Sequence, residues 1–195
     1  MTLLDVTRRR WDGTHEVDEW GLDTDLLDLV APFADLRWSI DLDGAGLLPA
    51  DGPAVIVANR RFGLSEPPVL ARAVGAATGR PLRFLGPGGQ HAALRRLGGA
   101  GDRPEELAGL ARARHLVSVH LGCSPRNGRC AGPLEPEALA LVPAGVPVLP
   151  AAVVGRELGR AWRVTLGPPV PAPSDGRPWT DAVRAAVQVL LDDAC

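Results

Sequence analysis

The chain has 195 residues, enough for one domain with a sizeable core, and 46% of them are apolar, which excludes wholesale disorder. A formal net charge of −2 leaves no basic field, so nucleic acid is disfavoured as a partner. Three cysteines (Cys123, Cys130 and Cys195) are odd in number and at no metal-binding spacing, which points to a reducing, cytoplasmic setting and no metal.

Residues 1–22 read as an N-terminal arm, with Trp11 and Trp20 expected to pack it onto a domain formed by residues 23–195. Arg8-Arg9-Arg10 follows a very short apolar stretch, unlike a signal peptide. No window approaches ~20 continuous apolar residues, so any membrane contact is expected to be peripheral, at the inner face. From Asp23 to Leu36, Leu26, Leu29, Val30, Phe33 and Leu36 recur at helical spacing behind a cap at Asp23 or Thr24, which predicts a helix packed on its own domain. Its outer face carries Asp25, Asp28 and Asp35, where a helix made to lie on anionic lipid would carry arginine. Leu36 to Leu42 alternates like a half-exposed strand, and a turn-rich link, Gly44 to Gly52, follows.

Ala54-Val55-Ile56-Val57-Ala58 is an unbroken apolar run, the mark of a strand buried on both faces of an α/β sheet. It ends at Asn59, and Leu64-Ser65-Glu66-Pro67 opens a helix with Ser65 as the expected N-cap. Open α/β sheets bind ligands where such a strand meets a helix N-terminus. Further on, helices are predicted over Pro67 to Thr78, Gln90 to Leu97, Glu105 to Arg114, Glu135 to Ala144 and Trp179 to Ala194. Strands are predicted over Leu82 to Leu85, His115 to His120, Gly145 to Gly155 and Trp162 to Val170. Gly86-Pro87-Gly88-Gly89 fits neither a dinucleotide fingerprint nor a Walker A loop and reads as a plain turn.

The passage from a buried strand through Asn59 to a helix start resembles the first motif of the glycerolipid (lysophospholipid) acyltransferases, which reads Asn-His, four residues, Asp. Leu97 to Pro104 stands where the family has its second motif, with Arg103 either its phosphate-holding arginine or a surface residue at a helix start. His120-Leu121-Gly122-Cys123, then Ser124-Pro125, stands where the family has Phe-Pro-Glu-Gly and Thr-Arg, and Arg126 to Arg129 resembles the arginine-rich turn after it. Gly145 to Gly155 resembles the fourth motif, whose Val146, Pro147 and Pro150 positions shape an apolar wall. The resemblance covers about residues 18–195. It implies a single α/β domain, a mixed sheet flanked by helices, like glycerolphosphate acyltransferase. The implied acyl donor is acyl-CoA or acyl-carrier protein, the acceptor a lysophospholipid, and no other cofactor is called for.

The chemical positions depart from the pattern. The His position is Arg60, the Asp position is Ser65 with Glu66 beside it, and the Glu position is Gly122. In the family the His deprotonates the acceptor hydroxyl and the Asp orients the imidazole. A guanidinium stays protonated and cannot be that base. The expectation is therefore an acyltransferase-like protein, a pseudoenzyme by its motifs, that binds lipid or acyl groups through Arg60, Arg61, Arg103, Gly122, Cys123, Ser124, Arg126, Val146, Pro147 and Pro150. Two alternatives stand beside it. One is an active enzyme with a rearranged site using His120 or Cys123, and the other a non-catalytic subunit of another acyltransferase.

Overall fold

The computed structural model describes residues 7–9, 11–13, 15–60, 64–86, 89, 91–123, 130–173 and 178–194. In chain order the elements are α1 (Thr24–Arg37), β1 (Ser39–Asp43), a 3-10 turn (Ala45–Leu47), β2 (Ala54–Ala58), α2 (Glu66–Thr78), β3 (Leu82–Leu85) and α3 (Ala92–Arg96). Then come β4 (Gly99–Ala100), α4 (Pro104–Arg112), β5 (Leu116–His120), β6 (Val148–Gly155), β7 (Ala161–Leu166) and α5 (Trp179–Asp193). The strands form one seven-stranded sheet in the order β1-β7-β6-β2-β5-β3-β4. Every pairing is parallel except β6 with β7, so the sheet is mixed.

The continuous apolar run of β2 has the cause expected for it: all five residues are buried, because helices cover both faces. Ala54, Ile56 and Ala58 join Val69, Leu70 and Val74 of α2 in one core. Val55 and Val57 join Leu107 and Leu110 of α4 and Val183, Val187 and Leu191 of α5 in the other. With β2, β5 and β6 parallel, their carboxyl ends open on one edge of the sheet.

Several expectations need correcting. Glu135 to Ala144 is not a helix but a run of turns. Ala138, Ala140 and Val142 donate to the carbonyls of Glu135, Glu137 and Leu139 in separate i→i+3 turns, and Pro143, which has no N–H, ends the run. Helix α1 forms, with Asp23 accepting from the Leu26 amide as its cap, but it is turned differently from the prediction. Phe33 and Leu36 point to solvent, and Asp35 faces α2, where Arg72 holds it with two hydrogen bonds of 2.6 and 2.7 Å. That pairing keeps the Asp35 carboxyl below its usual range. Trp11 is exposed instead of packing down.

Trp20, by contrast, docks as expected. Residues 17–23 fold back on themselves through a bridge between Val17 and Asp23, and Trp20 joins the α4/α5 core. Asp18 Oδ1 accepts from the amides of Trp20 and Leu22, while its other oxygen pairs with the buried guanidinium of Arg83 in β3. This last part of the arm is thus keyed into the domain.

Candidate functional site

The carboxyl edge of β2 is built around Asn59, whose carboxamide lies wholly within the sheet. Its Nδ2 donates to the Val153 carbonyl at 3.0 Å, and its Oδ1 accepts from the Val153 amide at 2.6 Å. Backbone pairing between β2 and β6 runs out at Ala58 with Ala151. Asn59 continues it by one rung with its side chain, satisfying a buried N–H and C=O that would otherwise have no partner. The first motif's asparagine is accordingly a structural residue here.

Helix α2 begins at Glu66, and Ser65 precedes it, but not as a side-chain cap. Ser65 has helical φ and ψ and no capping bond. Its hydroxyl donates to Glu157 Oε1 at 2.8 Å, and the Leu64 amide donates to the same oxygen at 3.1 Å. Glu157, in the turn between β6 and β7, therefore supplies the anion at this helix start, a placement the helix dipole favours. Sequence reading missed this residue; its one signal was an acid just past the end of the strand resembling the fourth motif. Glu66 is completely buried in the first turn.

Arg60 follows Asn59 and is half-buried, with its Nε sealed from solvent. Register places Ala58 opposite His120, so the imidazole at the end of β5 stands beside the turn that carries Arg60. Burial, reinforced by the Arg60 charge, pushes the His120 pKa down to about 4. His120 is neutral at physiological pH, and its buried Nε2 has no hydrogen-bond partner among the described residues. The structure thus gathers Arg60, His120, Ser65, Glu66 and Glu157 at one edge. A neutral imidazole there can accept or donate one hydrogen bond, while the neighbouring guanidinium offers charge to an anion.

The other predicted residues are scattered. Gly122 donates its amide to the Pro133 carbonyl at 2.6 Å, and a Cβ on it would lie 2.9 Å from Pro133 Cγ. Position 122 has no room for the family's glutamate. Cys123 is exposed. Arg103 is exposed at the start of α4, its side chain making no cap. Val146 and Pro147 line an apolar cavity of about 730 Å³ with Val142, Pro169, Val170 and Trp179, at the amino edge of the sheet. In the β2–β6 register Val146 is level with Pro53, so at about 3.3 Å per residue roughly 20 Å of strand separates this cavity from Arg60. Pro150 lies within β6, its carbonyl accepting from Gly167. Arg61, Ser124 and Arg126 lie outside the described residues.

Among the described residues no cluster of His, Cys, Asp or Glu is placed to hold a metal, and no helix is long and apolar enough to cross a membrane. No protein-family model and no curated protein matches the chain.

Proposed function

We propose that this chain is an acyltransferase-like domain that has lost the family's acid–base pair and acts by binding a lysophospholipid or acyl-group ligand at the carboxyl edge of its sheet. The observation that carries the reading is the side chain at position 60. Arg60 has its Nε buried and is close enough to His120 for its charge to act on the imidazole, and the acyltransferase resemblance puts the family's base at this position. A group that never deprotonates cannot take the acceptor's proton, but it can hold a phosphate or carboxylate. The surroundings support loss of the old chemistry: the Ser65 hydroxyl is committed to Glu157, and position 122 is walled off by Pro133.

A second reading has one observation in its favour. His120 brings an imidazole to the same edge from the adjacent strand, neutral and with Nε2 unengaged among the described residues. As a base its lowered pKa is a handicap, costing on the order of tenfold against an unperturbed histidine if proton transfer is half complete in the transition state. One assay separates the two readings. With acyl-CoA and lysophosphatidate, the binding reading expects no transfer above the uncatalysed rate and saturable binding of lysophosphatidate that Arg60→Gln weakens. Transfer that disappears in His120→Ala would establish the enzyme reading instead.

A further inference from the structure

Four large apolar side chains lie exposed around one small region: Phe33 at 68%, Leu36 at 71%, Leu64 at 79% and Leu158 at 92%. They come from three separate segments, and hydrogen bonds draw those segments together at Glu157. Arg37, next to Leu36, donates to the carbonyls of Glu157 and Gly159 at 2.8 and 2.7 Å, on either side of Leu158. The Leu64 amide bonds the Glu157 carboxylate. These bonds bring the segments that carry Leu36, Leu64 and Leu158 together at the same edge as Arg60, and Phe33 lies one turn back along α1 from Leu36. A group of large apolar side chains exposed on one side of a domain marks a contact with a protein or a membrane.

The charges around this patch choose the occupant. Leu158 is at the tip of a turn flanked by Arg156 and Arg160, both exposed and neither in an ion pair among the described residues. Arg37 bonds carbonyl oxygens, not a carboxylate. The acids of α1 face elsewhere. Asp35 is held by Arg72, and Asp28, at about 100° per residue, projects some 140° around the helix from Phe33. Glu157 keeps its negative charge but is half-buried and directed at the Leu64 amide and the Ser65 hydroxyl, so the turn presents two exposed arginines against one sheltered carboxylate. A second copy meeting this patch across a twofold axis would bring the arginines of both copies together. An anionic bilayer offers acyl tails to the leucines and phosphates to the arginines.

We infer that the rim formed by the C-terminal half of α1, Leu64 and the 156–160 turn is a membrane-docking surface for anionic lipid. It would set the carboxyl edge of the sheet against the bilayer, but it does not depend on what that edge binds or whether it catalyses. Co-sedimentation with phosphatidylcholine vesicles, with and without phosphatidylglycerol, tests it. The full chain should bind the phosphatidylglycerol vesicles and lose about tenfold or more in partitioning when salt is raised or in Arg156→Gln/Arg160→Gln. Leu36→Glu/Leu158→Glu should abolish binding while keeping the wild-type circular dichroism and melting curve, since both side chains are exposed. No binding by the wild-type chain would overturn the inference, as would binding indifferent to phosphatidylglycerol or binding retained in Leu36→Glu/Leu158→Glu. A wild-type dimer in light scattering that this double variant dissociates, without vesicle binding, would assign the patch to a second copy and overturn it too.

Discussion

Replacing Asn59 by alanine removes a side chain that the acyltransferase resemblance places in a catalytic motif and the structure places inside the sheet. The carboxamide makes two hydrogen bonds, 3.0 and 2.6 Å, to the backbone of Val153, and both partners are buried. Alanine would strand one carbonyl and one amide where water has no ready access. Each buried orphan costs about 1–3 kcal/mol, so the expected loss is about 2–6 kcal/mol. For a domain of this size, where 1 kcal/mol moves Tm by about 2–4 °C, the melting temperature should fall by roughly 4–24 °C. Asn59→Asp should do no better, because it sets an oxygen against the Val153 carbonyl. Urea unfolding followed by circular dichroism measures the difference, and an unchanged m-value would show that the unfolded state is not responsible. A loss under about 1 kcal/mol for Asn59→Ala would refute the structural role assigned to this residue.

The low pKa of His120 makes a second expectation. Between its unperturbed value near 6.5 and about 4, the unfolded chain binds a proton at this residue and the folded chain does not. Stability contributed here is therefore complete above pH 6.5 and is lost as pH falls toward 4, by up to about 3 kcal/mol. An NMR titration should give a midpoint near 4 for the His120 ring, and Arg60→Gln should raise it by less than half the shift, since burial is the larger cause. A midpoint near 6.5 in the wild type would contradict both. Gly109 in α4 offers a test of how the arm docks. Alanine at a helical glycine normally stabilises by about 0.5–1 kcal/mol, but a Cβ here would sit 2.6 Å from the Trp20 ring. Gly109→Ala should destabilise by about 1–3 kcal/mol, and should turn stabilising in a Trp20→Ala background. The same sign in both backgrounds would mean that Trp20 does not pack there.

The framework was legible where one physical signal dominated. The β2 run matched its strand residue for residue because a strand covered on both faces must be apolar throughout. The amphipathic period of α5 puts Val183, Ala186, Val187, Leu190 and Leu191 on its inner face; Val183, Val187 and Leu191 are buried there and Ala186 and Leu190 half-buried. The failures arose where two signals competed. In residues 135–144 the predicted helix gives way to separate i→i+3 turns, which end at Pro143 because it has no N–H to continue them. In α1 the apolar stripe was taken as the packed face, but Asp35 and Arg72 fix the helix by its polar side, and periodicity alone does not say which side meets the domain. The site was least legible because its parts are distant in sequence. Nothing near Ser65 announces Glu157, ninety-two residues away in the chain, and only strand register brings His120 beside Arg60.

The three motif departures look independent in sequence, yet in the folded chain each is tied to its surroundings. Arg60 depresses the basicity of the only imidazole the described structure places beside it. Ser65, where an orienting carboxylate would stand, instead donates a hydrogen bond to a carboxylate from another strand connection. Gly122 is packed so closely on Gly132 and Pro133 that a Cβ on Gly132 would fall 1.8 Å from the Gly122 carbonyl. Restoring histidine at 60 and aspartate at 65 would put the new aspartate against Glu157, two like charges competing for the same helix start. The third carboxylate would still have no space without moving the 132–133 backbone. In the folded chain the neighbours of all three positions are committed elsewhere, and on the proposed reading that commitment supports binding over acid–base catalysis at this edge.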